Sequence, residues 1–99
     1  MPFEPPAPSE VGPVLLSGRI SDAIVAAIRQ QNAGVRVTQR GSYLRVSVSS
    51  RCEVRAEVVA GLLGEPFRIP QDLERVMPSF RGRLVLSEEL AAWEASAVS

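Results

Sequence analysis

Two periodicities divide the chain into elements. Val11 to Leu16 is apolar with Gly12-Pro13 inside it, and predicts a short strand; proline is tolerated at a strand's start or edge. Ile24, Val25 and Ile28, with Ala27 beside them, recur at helical spacing. Ser21 offers an N-cap ahead of them and Asp22 suits the first turn. Ile20 and Val25 can close a hydrophobic staple around that cap. Asn32-Ala33-Gly34 predicts the stop. Val35 and Val37 then alternate with Arg36 and Thr38. Beyond Arg40-Gly41-Ser42, Leu44, Val46 and Val48 alternate with Tyr43, Arg45, Ser47 and Ser49. That is a hairpin with one wet face, and the whole reads as a βαββ unit.

The second half mixes the same ingredients. Cys52 to Val54 predicts a brief strand, and Ala56 to Leu63 a helix with Val58, Val59, Leu62 and Leu63 apolar. Gly64 and Pro66 end it. Pro70 stands where a first helical position would be, Leu73, Val76 and Met77 line one side of a short helix, and Pro78 closes it. Phe80, Gly82, Leu84 and Leu86 alternate with Arg81, Arg83 and Val85, which predicts one strand. The last stretch has two readings. Propensity from Glu88 to Ala97 says helix, whereas a turn at Ser87-Glu88-Glu89 leaves Leu90 to Ala95 as a strand.

Composition narrows the function classes. Ninety-nine residues suit one domain, preceded by a proline-rich arm over residues 1–10. The domain, 11–99, divides into a βαββ half over 11–50 and a second half over 51–99. Net charge is zero and every cation is Arg, so the chain carries no overall basic footprint for nucleic acid. There is no His, which removes the commonest general base and metal ligand. Cys52 is the single cysteine and reads as a small apolar strand residue. Glu88-Glu89 read as solvated charge. Gly61, Gly64 and Gly82 fit neither a dinucleotide fingerprint nor a P-loop. No apolar run approaches the ~20 residues of a membrane span, and the N-terminus does not read as a signal peptide, so a cytoplasmic protein is expected. No catalytic, cofactor-binding or metal-ligating residue is expected.

Surface recognition is left. Phe3, Tyr43 and Trp93 are large side chains of uncertain core role; exposed aromatics and arginines are the usual hot spots of interfaces. Core or edge packing is the more ordinary reading of Trp93, and Phe3 in the arm suits a partner contact or a disordered end alike.

Several stretches, taken in order, match a known family. They are Val11-Gly12-Pro13-Val14, Gly41-Ser42-Tyr43-Leu44-Arg45-Val46, Leu63-Gly64-Glu65-Pro66-Phe67, Leu73-Glu74 and Ser79-Phe80-Arg81-Gly82. In order and spacing the chain resembles the cofactor-free effector (coupling, or regulatory) proteins of bacterial multicomponent diiron monooxygenases. The likeness is greatest to the toluene and alkene branch. Two departures stand out. Gln39-Arg40 occupies a place where the family often has an acidic residue, and Leu90-Ala91-Ala92-Trp93-Glu94 is less bulky than the family's last strand.

The resemblance implies an α+β fold: a βαββ unit, then a second helix-and-strand unit, with two small antiparallel sheets at a steep angle. It favours the strand reading of Leu90 to Ala95. It implies a non-enzymatic subunit without cofactor that binds the α-subunit of a diiron hydroxylase. Docking would tune active-site conformation, substrate and oxygen access, and the coupling of electron transfer to hydrocarbon oxidation. Expected contacts are Phe3, Val11, Gly12 and Pro13 at the arm and first strand; Ser42, Tyr43 and Arg45 on the hairpin; and Pro66, Phe67, Arg68 and Met77 in the loop-rich segment. Neither nucleic acid nor membrane is expected as a partner, and the free protein is expected to be a monomer. The alternative is a stand-alone regulatory βαββ domain that binds a small molecule in a closed pocket.

Overall fold

The computed structural model describes residues 10–95. The proline-rich arm and Phe3 lie outside the described residues, apart from Glu10. The order is β1 (Glu10–Leu16), α1 (Arg19–Gln31), β2 (Arg36–Arg40), β3 (Tyr43–Ser49), β4 (Arg51–Arg55), α2 (Ala56–Leu63), α3 (Gln71–Val76), β5 (Ser79–Arg81), β6 (Arg83–Leu86) and β7 (Leu90–Glu94). The strands form two antiparallel sheets, ordered β2-β3-β1-β5 and β4-β7-β6. This is the expected α+β architecture.

The hairpin follows its alternation. Arg40 faces Tyr43, so Gly41-Ser42 is the turn, and Val46 and Val48 are buried while Tyr43 and Arg45 are exposed. β1 is an inner strand, although its proline pointed to an edge. Val11 pairs with Val48 and Val14 with Arg45, and between them Gly12-Pro13 are left out of the ladder to β3. On its other side β1 pairs with β5, Gly12 opposite Arg81 and Pro13 opposite Phe80. A proline without an amide hydrogen is accommodated because the ladder is interrupted where it sits. Gly12 has φ +144, and a Cβ there would run into the carbonyl of Val46. Only glycine fits.

α1 packs Ala23, Ile24, Ala27 and Ile28 into the core, against α2 and β4. It starts at Arg19, two residues before the serine expected to cap it. Ser21 is instead fully buried inside the first turn, where its hydroxyl donates to the carbonyl of Leu16. That bond ties the end of β1 to the helix, so the hydroxyl is not available for a cap. Ile20 and Val25, the expected staple, both lie within the helix, half-buried against the core. The stop is as expected: Asn32 follows the last turn, its amide donating to the Ile28 carbonyl at 2.9 Å. α2 likewise ends at Gly64, whose amide donates to the Ala60 carbonyl at 2.9 Å. Pro70 precedes α3 rather than occupying its first position.

The single strand expected over Phe80 to Leu86 is two strands in different sheets. Ser79–Arg81 adds an edge to the first sheet and Arg83–Leu86 an edge to the second. Gly82, at φ +103, is the junction. The alternation of apolar positions runs on through the junction, which is why the pattern alone reads as one element.

Leu90–Glu94 is the strand favoured above. It lies in the middle of its sheet, Cys52 and Leu84 opposite Trp93 on either side, and Ala91, Ala92 and Trp93 are buried. Flanking strands override helix propensity there. The turn before it is held by Ser87, whose Oγ accepts the amides of Glu89 at 3.3 Å and Leu90 at 3.1 Å. The indole Nε1 of the fully buried Trp93 has no partner among the described residues.

Candidate docking surface

The expected contact residues divide by burial. Val11, Gly12, Pro13, Phe67 and Met77 are buried, whereas Ser42, Tyr43, Arg45, Pro66 and Arg68 are exposed. Val11 and Pro13 face inward from β1, and Phe67 and Met77 join Ile69 and Leu73 in the core.

The hairpin residues come together with the end of β1. Leu16 is the cross-strand partner of Tyr43, and both are exposed. The amide of Ser17 donates to the Ser42 carbonyl at 2.8 Å, fastening the hairpin tip to the β1–α1 connection. A hollow of about 390 Å³ lies beside it, lined by Leu16 through Ser21 and by Val76 at the end of α3. The loop residues form another patch. Phe67, Arg68, Ile69, Pro70, Gln71 and Glu88 line a hollow of about 330 Å³, and the Arg68 amide donates to the Asp72 carboxylate at 2.8 Å.

Several exposed residues on this surface were not among the expected contacts: Leu16, Arg36, Arg40 and Arg81. Alternation along β2 marks Arg36 and Arg40 as outward. Only the long-range pairing of β1 with β5 brings Arg81 next to them.

Cys52 is buried, and desolvation, with a lesser contribution from the charge of Glu53, pushes its thiol up to about 12. Such a thiol is not a nucleophile at neutral pH. Among the described residues no group of three His, Cys, Asp or Glu side chains is placed to hold a metal, and no helix is long and apolar enough to cross a membrane.

The chain is thus an α+β domain with exposed arginines and aromatics and a buried, unreactive thiol. The MmoB/DmpM family profile matches residues 9–94, and the chain belongs to that family. It is 33% identical over 85 residues to the effector subunit of the alkene monooxygenase system of Xanthobacter autotrophicus (strain ATCC BAA-1158 / Py2), covering 84% of this chain and 83% of that one. Its fold matches two chains from structures of phenol hydroxylase–regulatory protein complexes. The TM-scores are 0.78 and 0.74 at 16% identity, over 86% of this chain and 97% and 98% of those. Membership places the chain among the effector, or regulatory, subunits of monooxygenase systems and not among their catalytic subunits.

Proposed function

We propose that this effector docks on the α-subunit of a diiron hydroxylase and adjusts how that enzyme uses oxygen and electrons. The similarity to an alkene monooxygenase effector over most of both chains carries the reading. The physics needed is modest. A ligand shifts a two-state partner only by its differential affinity for the two states. A standard interface takes about 800 Å² from each side, which a chain of this size can offer. Shape and placed side chains suffice; the effector supplies no reacting group.

The contact regions are the arm ahead of β1 with Phe3, the hairpin tip with Ser42, Tyr43 and Arg45, and the loop patch with Pro66 and Arg68. The buried Val11, Gly12, Pro13, Phe67 and Met77 shape these regions. The free protein acts as a cytoplasmic monomer. Reconstitution tests the reading: hydroxylase and reductase with and without the effector, following substrate oxidation, NADH consumed per product and peroxide released. The effector raises the rate or the coupling. No change in any of the three with the cognate hydroxylase would overturn it.

A further inference from the structure

The neutral net charge conceals a one-sided face. Register places Arg36 and Arg40 on β2, Arg45 on β3 and Arg81 on β5 along the solvent side of the first sheet. Residues directly opposite in an antiparallel pair share a face. From Arg40 the row runs to Tyr43 and Leu16; from Arg45 it runs to Val14 and then Ser79. The acidic residue of this face is Glu10, which is ion-paired with Arg36. Among the described residues Arg40, Arg45 and Arg81 have no carboxylate partner. The balancing acids lie elsewhere, Glu57, Glu88 and Glu89 gathering around a hollow at the start of α2.

The cationic face also has a receptacle. A small hollow of about 90 Å³ opens where the β1–β3 ladder is interrupted at Gly12-Pro13. Arg45 lines it from β3 and Arg81 from β5, with Gly12 and Ser47 between them. It is the size of a few solvent molecules, too small for a metabolite, but enough for the end of one acidic side chain. Guanidinium groups pair with carboxylates bidentately and are weakly hydrated, so they suit contacts that exclude water.

We infer that this face docks an acidic protein surface, with one partner Asp or Glu carboxylate seated between Arg45 and Arg81 in the hollow over Gly12. The inference rests on the proposed function, and the occupant is an acidic part of the hydroxylase surface. Tyr43 and Leu16 supply the apolar contact beside the charges. Arg40 steers the approach.

The test is binding of the full-length effector to its hydroxylase by interferometry at several salt concentrations. Variants are Arg45→Glu, Arg81→Glu and, as a control in the exposed last turn of α1, where the helix end is tied to β4 of the second sheet, Arg29→Glu; circular dichroism checks that each is folded. Reversal at Arg45 or Arg81 weakens binding about tenfold or more and flattens its salt dependence, while the Arg29 variant binds as wild type. Wild-type binding with both reversals unaffected would overturn this inference and leave the proposed function standing. Failure of the wild type itself to bind would overturn both. Parallel arms use phosphatidylserine vesicles and single-stranded RNA. Capture by either at near-physiological salt, lost on reversal while hydroxylase binding persists, would assign the face to that anion and overturn the acidic-protein reading.

Discussion

Gly82 stands against Val11: a Cβ at residue 82 would lie 2.7 Å from the Val11 Cγ1 and 2.9 Å from the Glu94 carbonyl oxygen. This contact joins the end of β5, the inner face of β1 and the end of β7 at one point. The chain changes sheets there at φ +103, where a side chain is strained in any surroundings. Gly82→Ala is expected to cost about 2–4 kcal/mol, combining backbone strain with overpacking. Urea denaturation checks the value. In a Val11→Ala background the same substitution costs less, because part of the collision is gone; equal costs in both backgrounds would show that the two residues are not coupled.

Asn32 holds the end of α1 to β4. Its Nδ2 donates to the carbonyls of Ile28 and Glu53, both at 2.8 Å, and its Oδ1 accepts the Glu53 amide at 3.0 Å. The side chain thus behaves as a short piece of strand pairing with β4. Asn32→Ala leaves those partly buried groups short of partners and is expected to destabilise by about 2 kcal/mol. Asn32→Asp does no better, since it keeps the acceptor but turns a carboxylate toward two carbonyls. Denaturation midpoints of the two variants, measured beside wild type, decide the point.

Cys52 links stability to alkaline pH. Its folded pKa, about 12, lies above the ~8.5 of a free thiol, so folding favours the protonated form. The stabilisation is complete below about pH 8.5 and is lost as pH rises toward 12, because the unfolded chain releases a proton that the folded chain retains. The slope from this group approaches about 1.4 kcal/mol per pH unit. Cys52→Ala removes that component of the decline, although the smaller side chain lowers stability at neutral pH. At pH 8 the native thiol is expected to resist aromatic disulfide reagents and to react once urea unfolds the chain.

The sequence made the hairpin legible because a period of two over Tyr43–Ser49, with one wet face, has no competing reading. The same logic failed at Gly82. Apolar positions keep alternating from Phe80 to Leu86, and nothing in a one-dimensional pattern says that the first two residues pair with β1 and the last four with β7. Ser21 misled for a related reason: a serine before an apolar helix face is a good cap, and only the position of Leu16 makes it a buried donor. The family words identified the chain, yet many of their residues are interior. The placement of Arg45 and Arg81 on either side of β1 depends on strand order, which the sequence does not display.

Trp93 gives the molecule an internal gauge. It is the chain's sole indole, fully buried between Cys52 and Leu84, with its N–H unpaired among the described residues. Its emission therefore reports on the interior and not on the contact face. Association that leaves its spectrum unchanged would mark the effector as a rigid wedge, with all the deformation borne by the partner. A shift would mean that the two sheets themselves yield on docking.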